Sequence, residues 1–82
     1  DYAIAKYMVL KRLGFTTDQL RVVVVQDLNL GVPHAILAVY VNGAAYILDN
    51  QIQQVMSDRA IAHYRPIYSI NESAWWLHKP VN

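Results

Sequence analysis

Asn42-Gly43 constrains this chain more than any other dipeptide, because it stands between two arms, residues 33–41 and 44–50, filled with β-branched, aromatic and small apolar side chains. Asn and Gly best tolerate positive φ at both centres of a type I′ turn, whose twist matches that of the strands it joins. A two-residue loop fixes the register. Val41 pairs with Ala44, and counting outward sets Ile36 opposite Asp49 and His34 opposite Gln51. His34 and Asp49 then share one face as diagonal neighbours, roughly 7–8 Å apart at Cα, close enough for an imidazole–carboxylate hydrogen bond. A one-residue bulge would send Asp49 to the other face.

The rest of the chain reads as the surroundings of that hairpin. Residues 2–13 carry Ile4, Tyr7, Met8, Leu10 and Leu13 at three- and four-residue steps, with Lys6, Lys11 and Arg12 left for the outer side. This spacing predicts an amphipathic helix of about three turns, with Asp1 at its start as cap or first-turn residue and Gly14 as its stop. Thr16-Thr17-Asp18 reads as a short turn or a brief helical cap. Residues 20–26 contain Val22-Val23-Val24-Val25, the composition of a strand covered on both faces, and residues 27–33 read as a loop. Residues 51–62 read as a loop with a helical turn near Ile52, Val55 and Met56. Residues 64–71 alternate as a strand that Pro66 confines to an edge or a strand start. After a turn at Asn71-Glu72-Ser73, the adjacent Trp75 and Trp76 cannot both face one core. Either one of them lies across a groove or interface, or the segment packs as a C-terminal lid. The expectation is an α+β fold, one N-terminal helix on an antiparallel sheet.

Composition narrows the function. A chain of 82 residues is one domain or a piece of one, and 55% hydrophobic against 16% charged is rich for a domain of this size, so some apolar surface should face a partner or further sequence. The net charge of +1 comes with scattered basic residues, which gives no nucleic-acid or anionic-membrane footprint. No apolar run approaches the roughly 18–20 residues of a bilayer span, and the first residues lack a basic-then-apolar leader pattern. The absence of cysteine excludes disulfides and selects no redox compartment. Phosphate-binding glycine loops and repeats are also missing.

A carboxylate held against one imidazole nitrogen fixes the tautomer and stabilises the imidazolium, leaving the other nitrogen to take a proton from a nucleophile. That nucleophile is not evident: Ser57, Ser69, Ser73, Thr16 and Thr17 fall in loop-like or late segments. On the residues alone, a second reading stays open. His34 is then an ordinary strand histidine and Asp49 ends its strand in an Asx turn, in a small α+β protein-interaction module. His63 and His78 have no carboxylate or cysteine at ligand spacing and read as surface histidines without a metal role.

A helix followed by antiparallel strands, with His on one strand and Asp on the next, is the layout of papain-like and transglutaminase-like thiol enzymes. Asp1-Tyr2-Ala3-Ile4-Ala5-Lys6-Tyr7, Leu13-Gly14-Phe15, Pro33-His34-Ala35-Ile36-Leu37, Leu48-Asp49-Asn50 and Pro66-Ile67-Tyr68-Ser69-Ile70-Asn71 closely resemble the bacterial transglutaminase-like cysteine proteinases over essentially the whole chain. The resemblance implies that residues 1–82 are the C-terminal half of such a domain, that a Cys-Glu pair directly precedes Asp1, and that His34 is the general base and Asp49 its orienting carboxylate. It also implies a calcium ion whose acidic ligands flank that cysteine, so that no metal ligand is expected in this chain. Further implications are a periplasmic location, a bacterial surface adhesin as substrate with release of biofilm cells, and an inner-membrane cyclic-di-GMP receptor as regulating partner. Neither nucleic acid nor membrane insertion is implied. Without the thiol these residues alone cannot form the thioester and are expected to be inactive. Acyl transfer between glutamine and amine groups would use the same side chains.

Overall fold

The computed structural model describes residues 1–50, 52–57 and 63–78, apart from the side chains of 52–54, Trp75 and Trp76. The reading of the two tryptophan side chains therefore lies outside the described residues. One helix, α1 (Tyr2–Arg12), and a 3-10 turn at Thr17–Gln19 precede six strands: β1 (Leu20–Asp27), β2 (Val32–Val41), β3 (Ala44–Asp49), β4 (Ile52–Ser57), β5 (Tyr64–Ile70) and β6 (Trp75–Leu77). They form one sheet in the order β4-β3-β2-β1-β5-β6, antiparallel at every pairing. The class is α+β, and no described helix is long and apolar enough to cross a membrane.

Both ends of α1 follow from local chemistry. The Asp1 carboxylate accepts from the Ile4 amide at 3.1 Å, satisfying one of the helix's orphan donors. At the other end Gly14 takes φ +105°, and the amides of Gly14 and Phe15 donate to the carbonyls of Lys11 and Leu10, the paired bonds of a Schellman stop. The buried face differs from expectation. Ala3 and Tyr7 are buried with Leu10 packed beside them, whereas Ile4, Met8 and Leu13 stay exposed. Apolar residues occupy too much of the helix circumference for all to face one sheet, and the Ala3-Tyr7-Leu10 row is the one that meets Leu20, Leu37 and Val39. Tyr7 is further anchored through its hydroxyl, which donates to the Glu72 carboxylate at 3.0 Å and accepts from the Glu72 amide at 3.2 Å. This ties the helix to the β5–β6 turn.

The sheet is covered on the α1 side by that cluster. On its other face Val23, Val25, Ile36, Ala38 and Ile47 form a second core, with Tyr40 and Tyr64 against it. The valine run of β1 thus feeds both layers, as its composition predicts. The β1–β2 connection is held by Asp27, which is buried and accepts from the amides of Asn29 and Leu30 at 2.9 and 3.0 Å.

Two expectations are corrected. The segment at Ile52, Val55 and Met56 is strand β4 rather than a loop with a helical turn, because the exposed edge of β3 offers its unpaired backbone groups as a template. Residues 51 and 58–62 of that stretch lie outside the described ones. Strand β5 is interior, between β1 and β6. Pro66 is tolerated because the β1–β5 register shifts there, between Val24 and Val25; among the described residues β6 pairs with Tyr68, Ser69 and Ile70 and not with Pro66.

The hairpin itself is as read. Asn42 and Gly43 have φ of 52° and 78°, Val41 pairs with Ala44, and Leu37 with Leu48. Since a β-branched residue is strained at positive φ by about 1–2 kcal/mol, Gly43→Val is expected to lower the urea midpoint by that amount of stability, with an unchanged denaturant slope.

Candidate active site

Alternation along β2 and β3 decides which side chains meet. His34 shares its face with Ile36 and Ala38, Asp49 shares its face with Ile47, and the pairing of Ala38 with Ile47 makes these the same face, the one opposite α1. On that face His34 Nε2 lies 2.6 Å from Asp49 Oδ1. The two residues singled out from the sequence are therefore brought together, in the diagonal arrangement that the tight turn dictates.

Asp49 has no exposed side-chain surface, whereas the His34 ring retains 15%. A buried carboxylate is costly unless donors surround it, and an ionised carboxylate can only accept. His34 therefore donates from Nε2, which places any proton-accepting capacity of the neutral ring at Nδ1. Among the described residues Nδ1 has no hydrogen-bond partner.

The structure adds a third side chain, Tyr64 at the start of β5, whose hydroxyl donates to Asp49 Oδ2. Its ring stands 5.8 Å from that of His34 and 4.3 Å from that of His63. Burial, then the hydrogen bond to Asp49 and the carboxylate's charge, hold the Tyr64 phenol well above its usual range. Nothing in the sequence marks Tyr64 for this site. It arrives through the pairing of β5 with β1, where Tyr64 faces Asp27, and such long-range partners leave no local signature.

His63 and His78, expected at the surface, are half-buried. The His63 ring packs on Tyr64, and His78 Nε2 lies 2.5 Å from Ser69 Oγ, so each is held by a neighbour that sequence spacing does not disclose. Among the described residues no three His, Asp or Glu side chains converge as a metal site.

Comparison with known proteins bears on the family and the fold. A family model described as bacterial transglutaminase-like cysteine proteinase matches residues 1–78. Solved structures of Legionella pneumophila LapG superpose closely. The EGTA-treated form has a TM-score of 0.90 at 33% identity, covering 98% of this chain and 44% of that one. The calcium-bound form has a TM-score of 0.90 at 32% identity, covering 100% of this chain and 46% of that one. The chain therefore spans less than half the length of those proteins. No curated protein sequence matches it significantly.

Two measurements check the site. Long-range proton–nitrogen NMR is expected to find neutral His34 as the single Nε2–H tautomer, and to find mixed tautomers in Asp49→Asn, whose carboxamide can accept or donate. The second concerns alkaline stability. Because the folded-state pKa of Tyr64 is raised above its unfolded value of about 10, its contribution is intact below about pH 10 and is lost as pH rises beyond it. Urea midpoints should therefore fall less steeply above about pH 10 in Tyr64→Phe than in the parent.

Proposed function

From the premise that this chain belongs to the bacterial transglutaminase-like cysteine proteinases, we propose that His34 and Asp49 are the base and orienting carboxylate of a Cys-His-Asp thiol peptidase. The observation that carries the reading is the 2.6 Å contact between His34 Nε2 and a fully buried Asp49, with Nδ1 left over for a thiol. The 82 residues contain no cysteine, so the thiol comes from outside them. By resemblance it stands two residues ahead of Asp1.

The start of α1 suits that placement. Asp1 and Ala35 line one groove, which brings the helix start to the end of β2 that carries His34. The dyad faces away from α1, so the thiol would approach Nδ1 around the strand end. There it would feel the positive end of the helix dipole and the neighbouring imidazolium, both of which favour thiolate over the free thiol's pKa of about 8.5.

The chemistry follows. His34 Nδ1 takes the thiol proton, sulfur attacks the scissile carbonyl carbon, and first-turn amides of the helix donate to the oxyanion. The carbon–nitrogen bond breaks as the imidazolium returns its proton to the departing amine, leaving a thioester. His34 then deprotonates water, which attacks the thioester and frees the acid and the thiol. Asp49 remains ionised throughout and holds the ring. The family resemblance supports a bacterial surface adhesin as substrate, the periplasm as compartment, and an inner-membrane cyclic-di-GMP receptor as partner. The calcium-bound form of LapG supports a calcium requirement in the longer protein.

The coding sequence immediately ahead of Asp1 is the first test: a cysteine codon two residues upstream is expected, and its absence sinks the peptidase reading. In the polypeptide that carries this cysteine, His34→Ala should slow peptide cleavage on the order of 10²–10⁴-fold. It should also slow thiol alkylation at neutral pH, toward the rate of a free cysteine, with the helix dipole left as the remaining influence on the thiolate.

A further inference from the structure

Strand spacing of about 4.8 Å puts β5 roughly 14 Å from β3 in a flat sheet, since β1 and β2 lie between them. Tyr64 nevertheless bonds Asp49, so the sheet coils toward the face that carries the dyad. A contact that requires the whole sheet to curl is not a by-product of local packing. It places an O–H donor on the one carboxylate oxygen that His34 does not use.

We infer that Tyr64 is a positioning residue of this site: its hydroxyl fixes the Asp49 carboxylate, and through it the orientation and tautomer of the His34 ring. The inference rests on the catalytic reading of His34 and Asp49, and adds a residue that the triad does not contain. Two bonds to opposite oxygens of one carboxylate remove its freedom to rotate, so the Oδ1 acceptor stays in line with Nε2. The tilted Tyr64 ring, 5.8 Å from that of His34, covers the pair on the side of the second core. Water that would compete for the buried carboxylate is kept away, which strengthens the imidazole–carboxylate bond. With no charge of its own, the phenol restrains Asp49 without competing for the proton that His34 must exchange. A lysine or arginine there would also hold the carboxylate, but would oppose the imidazolium that forms during catalysis.

The test is Tyr64→Phe, which keeps the ring and deletes the donor. In the 82-residue chain, nitrogen NMR should show His34 changing from the single Nε2–H tautomer to a mixture, while the amide spectrum stays dispersed. An unchanged single tautomer overturns the inference. In the thiol-bearing polypeptide the same substitution should lower kcat about 10–100-fold with KM little altered, as for other outer partners of a catalytic group; unchanged kcat overturns it. Should Tyr64→Phe lose its fold, the coupling is read from the other side. The Tyr64 phenol in Asp49→Asn should titrate at lower pH than in the parent, and an unmoved titration overturns the inference. Failure of the peptidase reading is seen separately, as cleavage that survives His34→Ala.

Discussion

The buried carboxylate of Asp49 is the group on which the rest of this structure depends. A charge with no exposed surface survives only if donors replace the water it has lost. Here one donor comes from the other arm of its own hairpin and one from a strand three positions away in the sheet. Satisfying the first requires the β2–β3 register to be right to the residue. Satisfying the second requires β5 to lie beside β1 and the sheet to coil. The order of the strands, the tight turn and the curvature are therefore all conditions for keeping one ion dry.

What could be read from the sequence was what neighbouring residues decide. Asn42-Gly43 sets the hairpin register because turn geometry is local, and so the sequence suffices to pair His34 with Asp49. Asp1 and Gly14 bound the helix through contacts within a few residues of themselves. Legibility ends where a residue's environment comes from distant chain. Ile52 to Ser57 is polar-interrupted and becomes a strand only because the edge of β3 accepts it. The Ile4 and Met8 side chains have the spacing of core residues, yet the sheet meets the neighbouring row. Tyr64 carries no motif, and its contact with Asp49 depends on the β1–β2 and β1–β5 pairings, which no local signal specifies.

The two faces of the sheet divide the labour. One is occupied by α1, whose Tyr7 and Glu72 lock the helix to the β5–β6 turn, and burial lifts the Tyr7 phenol above its ordinary range. The other carries the dyad at the rim of the apolar cluster of Val23, Val25, Ile36, Ala38 and Ile47. Rigid packing beneath the pair holds its heavy atoms in place. The helix start shares a groove with Ala35, the residue that follows His34 on β2.

The separation of Asp49 from His34 and Tyr64 along the chain also sets an order of events. His34 and Asp49 are 15 residues apart and belong to one hairpin, a unit that closes in about 1–10 μs. Tyr64 lies a further 15 residues on and joins only when its strand docks against β1. On a ribosome delivering about 5–20 residues each second, the imidazole and carboxylate are together well before the phenol emerges. The nascent chain thus holds a half-clasped, water-accessible pair for an interval, and the arrival of β5 dries and tightens it.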